Sequence, residues 1–231
     1  MKIKAEFREV RKEDDTKLRG YATLTIGDVV IKNVMVKEFE SKFDENGLYY
    51  GFQMPNSRSY ENENGEKVYI PAVELKCAKE EDTKKLISEV RKVITQAIDV
   101  SEVNEYGKKV CEGEIEFDYD KEKIRTYVEP RTSDKSRNLK AFATAYIGNV
   151  VKINDIAMLE IQNSETCNKF TTVSFPSKSR EINGETKFEE KVFTVGEGMK
   201  KALIKSIEDN YIKEIEKEQD RQNDEQEDLE P

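Results

Sequence analysis

The chain has 231 residues, 38% of them charged, no histidine, and a mean hydropathy of −0.81. The missing imidazole excludes Ser-His-Asp and Cys-His catalysis and the His-containing zinc sites, and no apolar run reaches the roughly 18 residues of a membrane span. Net charge is −9, but Glu208–Pro231 alone carries eleven acidic and three basic side chains, which leaves the first 207 residues near neutral at −1. The acidity therefore belongs to the C-terminal end and does not argue against a nucleic-acid partner.

In chain order, Ile3, Ala5 and Phe7 alternate and predict a first strand over residues 2–10. A charged stretch, Arg11 to Arg19, reads as a loop. Residues 20–26 and 29–36 are β-rich on either side of Gly27-Asp28, a hairpin signal. Asn46-Gly47 marks another turn. Leu48, Tyr50, Phe52 and Met54 alternate along one strand face until Pro55 ends the ladder. Residues 57–65 read as a polar loop, and 68–75 as an extended edge segment containing Pro71. Leu86, Ile87, Val90, Val93, Ile94 and Ala97 then form one stripe at helical spacing, with Asp82 or Thr83 as candidate caps. Residues 100–120 read as a linker, with a possible strand over 110–117.

Beyond the linker the same order returns. Tyr21 matches Phe142, Ala22-Thr23 match Ala143-Thr144, Ile26-Gly27 match Ile147-Gly148, and Val29-Val30 match Val150-Val151, all at an offset of 121. Met54-Pro55 matches Phe175-Pro176 at the same offset. A second helix is expected after Gly196 or Gly198, with Met199, Leu203, Ile207, Tyr211 and Ile215 on its stripe. The predicted fold class is α+β: two tandem copies of an antiparallel sheet module, each closed by one helix. The copies span 1–99 and 121–215, joined by the linker at 100–120. Residues 216–231 are expected to be a disordered acidic tail.

Several of these residues resemble the SpoVG-type septation regulators of bacteria (stage V sporulation protein G). Ala143-Thr144 and Tyr146-Ile147 fit the family's first strand, Asn154-Asp155-Ile156 its second, Phe175-Pro176-Ser177-Lys178 its Met-Pro-Ser-Lys strand end, and Tyr211 the end of its helix. The first copy keeps Met54-Pro55 but continues Asn56-Ser57-Arg58. The resemblance implies a cytoplasmic, non-enzymatic, DNA-binding regulator, with RNA as a further candidate ligand, linked to septation or sporulation and to transcription control. It also implies pairing. Where family members pair two chains, one chain here could supply both partners as an intramolecular pseudo-dimer, with further oligomerisation open.

Candidate nucleic-acid contacts are Lys84, Lys85, Arg91 and Lys92 in the first helix and Lys200, Lys201 and Lys205 in the second. Arg58, Lys178 and Arg180 follow the two strand-end prolines. Cations of this kind neutralise phosphates and release counterions, and the neighbouring Ser57, Ser177 and Ser179 suit phosphate contacts. A solvated helix face and a polar turn are the competing roles. Tyr49 and Tyr60 could stack on bases, with packing as their competing role. The acidic tail could fold back on a basic surface or simply be solvated. No phosphate-binding glycine motif, metal-site spacing or cofactor signature is present. The competing function is a protein–protein adaptor that keeps the paired fold without nucleic-acid affinity.

Overall fold

The computed structural model describes residues 1–10, 17–40, 47–117, 119–120, 122–131, 138–164, 166–182 and 185–227. The side chains of Arg180, Ile182 and residues 222–227 also lie outside the described set, as do most of the charged Arg11–Arg19 stretch and Asn46 of the predicted turn. The first half runs β1 (Lys2–Glu9), β2 (Leu18–Ile26), β3 (Val29–Glu40), β4 (Leu48–Gln53), β5 (Asn56–Glu61), β6 (Lys67–Pro71), β7 (Val73–Leu75) and helix α1 (Glu80–Asp99). β8 (Lys109–Glu114) lies between the halves. The second half repeats the order as β9 (Ile124–Pro130), β10 (Leu139–Ile147), β11 (Val151–Gln162), β12 (Lys169–Ser174), β13 (Ser177–Ile182), β14 (Glu185–Glu190), β15 (Val192–Thr194) and α2 (Glu197–Glu227). The architecture is α+β, with antiparallel pairing throughout the described strands and two helices among the described residues.

Period-two alternation builds the sheets. Ile3, Ala5 and Phe7 of β1 face inward beside Ala22, Leu24 and Ile26 of β2, while the intervening polar residues line the opposite face. β3 and β11 each carry one extra residue, a bulge centred on Asn33 (φ 59°) and Asp155 (φ 54°). Asn and Asp tolerate this left-handed conformation better than other side chains with a Cβ.

The shared bulge corrects the repeat register. β2 turns into β3 over two residues, with Ile26 opposite Val29, but β10 turns into β11 over three, with Ile147 opposite Val151. Val29-Val30 therefore correspond to Val151-Lys152 rather than Val150-Val151. The offset is 122 along these strands and returns to 121 at β4 and β12, where Met35 pairs Gln53 and Ala157 pairs Ser174.

The halves exchange strands. β7 leaves the first half to pair with β11, Val73 opposite Ile153, and β15 leaves the second to pair with β3, Val192 opposite Ile31. Flanking hydrogen bonds repeat at equivalent positions. Asn154 N–H donates to the Ala72 carbonyl at 2.9 Å and Lys32 N–H to that of Lys191 at 2.8 Å. Lys76 N–H donates to Val150 at 3.0 Å and Val195 N–H to Asp28 at 2.7 Å. Val73 and Val192 are fully buried, and one continuous apolar cluster runs through both halves. The segment after each proline, expected as a polar loop, is part of a two-stranded hairpin, β5–β6 or β13–β14. β5 and β14 carry no apolar alternation and are exposed along most of their length.

The linker is structural at two points. β8 extends the first sheet by pairing with β1, Ala5 opposite Cys111. Tyr119 lies against the β2–β3 and β10–β11 turns together. A Cβ on Gly27 would come 2.3 Å from the Tyr119 ring, and one on Gly148 would come 2.1 Å from it. The Tyr119 hydroxyl donates to the Asp28 carboxylate at 3.1 Å and accepts from the Asp28 N–H at 3.1 Å. Burial, and then the Asp28 charge, push this phenol up to about 12 despite the opposing backbone hydrogen bond.

The helices dock unequally. α1 buries Leu86, Val90, Val93, Ile94 and Ala97, where full burial of each larger aliphatic contributes roughly 1.5–3 kcal/mol. Its N-cap is Lys79, not Asp82 or Thr83; the Thr83 hydroxyl instead accepts from the Cys77 N–H at 2.9 Å. Among its described side chains α2 fully buries only Leu203 and Ile207, and Asn210 reaches back to the Thr126 hydroxyl at 2.7 Å. Contrary to the expected disordered tail, residues 216–227 continue this helix. Glu, Lys and Gln dominate the extension and are good helix formers, and a Lys217–Glu214 pair at 2.6 Å supports its start. No helix among the described residues is long and apolar enough to cross a membrane.

Candidate functional site

Each exchanged hairpin lies over the polar face of the other half's sheet, and a cleft opens beneath it. Cleft one, about 250 Å³, lies between Arg58 and Ile70 of the first half and Glu129, Phe142 and Asp155 of the second. Cleft two, about 690 Å³, lies between Lys178, Glu189 and Lys191 of the second half and Arg8, Tyr21 and Asn33 of the first. The two are equivalent places in the repeat. Tyr21, Ala22 and Thr23 line one where Phe142, Ala143 and Thr144 line the other, and Asn33 occupies the bulge position of Asp155. Strand pairing likewise equates Lys178, opposite Glu189, with Arg58, opposite Ile70.

Their charges differ. Cleft one is internally neutralised. The Arg58 guanidinium sits 3.2 Å from the Asp155 carboxylate, which also accepts from the Ser57 hydroxyl, and Lys152 pairs Glu74 at 2.7 Å. Burial pushes the Glu74 carboxyl up, but hydrogen bonds from Lys152 and Asn154 outweigh it and hold the group below the usual carboxylate range. Adding Glu129 gives cleft one three carboxylates against two cations.

Cleft two has five cations against two carboxylates. Lys108 at 2.8 Å and Lys4 at 3.1 Å pair with Glu6, and Lys108 chiefly holds that carboxyl below its ordinary range. Lys191 Nζ donates to the Asn56 carbonyl at 2.5 Å, and Lys32 Nζ lies 5.0 Å from the Phe193 ring centroid. Burial and the nearby Lys178 charge depress Lys191 below its ordinary value. Arg8 and Lys178 are exposed and pair with no carboxylate among the described residues.

The sequence-derived candidates thus fall into separate groups. Arg58 and Lys178 occupy different clefts. The Arg180 side chain lies outside the described residues. All seven helix cations are exposed. In α1, Lys84 pairs Glu80 at 2.8 Å and Lys92 lies 3.9 Å from Glu89, and the first turn holds Glu80, Glu81 and Asp82. In α2, only Glu197 accompanies Lys200, Lys201 and Lys205 over the first three turns, and none of the three pairs with a described carboxylate. A straight helix sets Glu218 about 27 Å from Lys200, so the acidic end of α2 does not cover the lysines at its start. Tyr49 stacks on Phe39 with centroids 5.3 Å apart, and both Tyr49 and Tyr60 are exposed.

Arg8, Lys32 and Lys191 were missed as site residues. Arg8 and Lys32 lie on strands far from Lys191 in sequence, and their convergence with it depends on the strand exchange. The one available signal was divergence between equivalent positions, Arg8 against Glu129 and Asn33 against Asp155, and it needs the corrected register to be seen. Comparison with protein-family models, with curated proteins and with solved structures returned no match.

Proposed function

We propose that the chain is a non-enzymatic nucleic-acid-binding regulator of SpoVG type, folded as a pseudo-dimer within one chain, binding DNA and in a second capacity RNA. The reciprocal exchange of β7 and β15 supports the pseudo-dimer, because each half completes the other's sheet with an equivalent strand. The observation that carries the binding reading is the exposed cation group Lys200, Lys201 and Lys205 with no described carboxylate partner. Such groups contact phosphates by releasing counterions, so affinity falls steeply as salt rises. Binding is asymmetric, since residues 80–92 carry four acidic and four basic side chains whereas 197–207 carry one and three.

The test is fluorescence anisotropy with short labelled DNA and RNA at low and moderate salt, using the full chain and a version ending at Ile215. Salt-sensitive binding supports the reading; its absence from both proteins favours the adaptor. Size-exclusion chromatography with light scattering checks the pairing. A one-chain mass supports it, and a two-chain mass that persists on dilution contradicts it.

A further inference from the structure

We infer that cleft two is a phosphate-binding site and that cleft one is its silenced counterpart. Equivalent backbone frames carry both, so the comparison isolates the side chains. At the bulge, Asp155 neutralises Arg58 in cleft one, while Asn33 leaves Lys178 without that partner in cleft two. Glu129 of cleft one is replaced by Arg8, and Ala72, which precedes the exchanged strand, is replaced by Lys191. Three positions thus change towards positive charge, against two that gain a carboxylate, Glu6 in place of Tyr127 and Glu189 in place of Ile70, and cleft two keeps the cation excess.

The site has the features an oxyanion needs. Arg8, Lys178 and Lys191 come from opposite walls of a cleft large enough for a phosphate with its sugar. An arginine offers a planar fork for two phosphate oxygens and the lysines act as point charges. Glu6 is already engaged by Lys4 and Lys108, so it competes weakly for the remaining cations. Lys191 is partly desolvated and faces the charge of Lys178, a cost that a bound anion relieves. Tyr21 and Thr23 add hydroxyl-bearing side chains. The phosphate could come from a nucleic-acid backbone or a free nucleotide, and this inference stands independently of the lysines on α2.

The experiment uses the full chain, with calorimetric titration of pyrophosphate and ATP and anisotropy of a labelled 12-nucleotide single strand. Asn33→Asp installs in cleft two the carboxylate that silences cleft one, at a backbone conformation Asp155 already adopts. It is expected to weaken pyrophosphate binding by about tenfold, the size of one charge-assisted contact. Lys178→Ala with Lys191→Ala is expected to abolish that binding, and Asp155→Asn to leave cleft two unchanged. Matching loss of oligonucleotide affinity in Asn33→Asp assigns the phosphate to a nucleic-acid strand. Intact oligonucleotide affinity with lost ATP binding assigns it to a free nucleotide. Pyrophosphate and ATP binding that is absent from wild type, or unaltered by both cleft-two variants, overturns the inference. Lys200→Glu with Lys201→Glu separates the two proposals, since it should impair oligonucleotide binding by α2 and leave pyrophosphate binding intact.

Discussion

Clefts one and two share a frame and differ in what their charges are doing. In the first, Arg58 and Lys152 are held by Asp155 and Glu74; in the second, Asn33 replaces the aspartate and Lys191 adds a cation. A lysine or arginine count would rate Arg58 and Lys178 alike. The partner across the exchanged interface, 97 residues from Arg58 in sequence, decides which is available. The helices repeat the lesson, with α1 starting among carboxylates and α2 starting among lysines. Two halves of one chain can diverge in this way because each has its own codons, whereas the subunits of a homodimer change together.

The largest expected effects come from breaking the frame that makes the clefts comparable. Val73→Asp and Val192→Asp each place a charge at a fully buried exchanged strand and should cost about 4 kcal/mol or more. Because the two strands brace opposite sheets within one core, urea denaturation should show one cooperative loss in either variant. Separate transitions for the two halves would contradict the shared core.

Gly148→Ala should follow, at about 2–4 kcal/mol. Its φ of +60° strains any Cβ, and the Tyr119 ring stands 2.1 Å from where that Cβ would lie. Gly27→Ala should behave alike, at φ +56° and 2.3 Å. Equal losses measured by denaturation would support Tyr119 as a common brace, and a large difference would show that it serves one turn.

Tyr119→Phe sharpens the same point more gently, at about 1 kcal/mol for its lost hydrogen bonding. The folded phenol is raised from 10 to about 12, so its contribution is fully present below pH 10 and is lost as pH rises towards 12. Wild-type stability should fall across that window, and the phenylalanine variant should lose this component of the fall. Asp155→Asn is the smallest change. Arg58 is largely exposed, so stability should move by under about 1 kcal/mol, while cleft one should gain measurable pyrophosphate affinity by calorimetry.

Much of the frame was legible in the sequence. The hairpin around Gly27, the α1 stripe and the repeat itself are local or periodic signals, and β1, β2, β3 and α1 lie where those signals point. β6 falls within the extended segment read over 68–75, but β5 and β13 were not legible, because they do not alternate apolar and polar residues. The exchange of β7 and β15 was hidden because three-residue strands carry little local information and their partners are distant in sequence. The extra residue in the Gly148 turn displaced the repeat register by one, enough to align Asn33 with Asn154 rather than Asp155. Residues 216–227 lacked an apolar stripe and read as a tail, although their composition favours helix. For the site, the lysines of α2 were visible as candidates, but the engagement of Arg58 and the role open to Arg8, Lys32 and Lys191 required the three-dimensional exchange.

The most direct test of asymmetric nucleic-acid binding compares charge reversal at equivalent helix starts by anisotropy with one short labelled DNA. Lys200→Glu with Lys201→Glu should weaken binding by at least about tenfold, while Lys84→Glu with Lys85→Glu should change it by less than about threefold. Equal losses from the two helices, or intact binding in the α2 variant, would contradict the account.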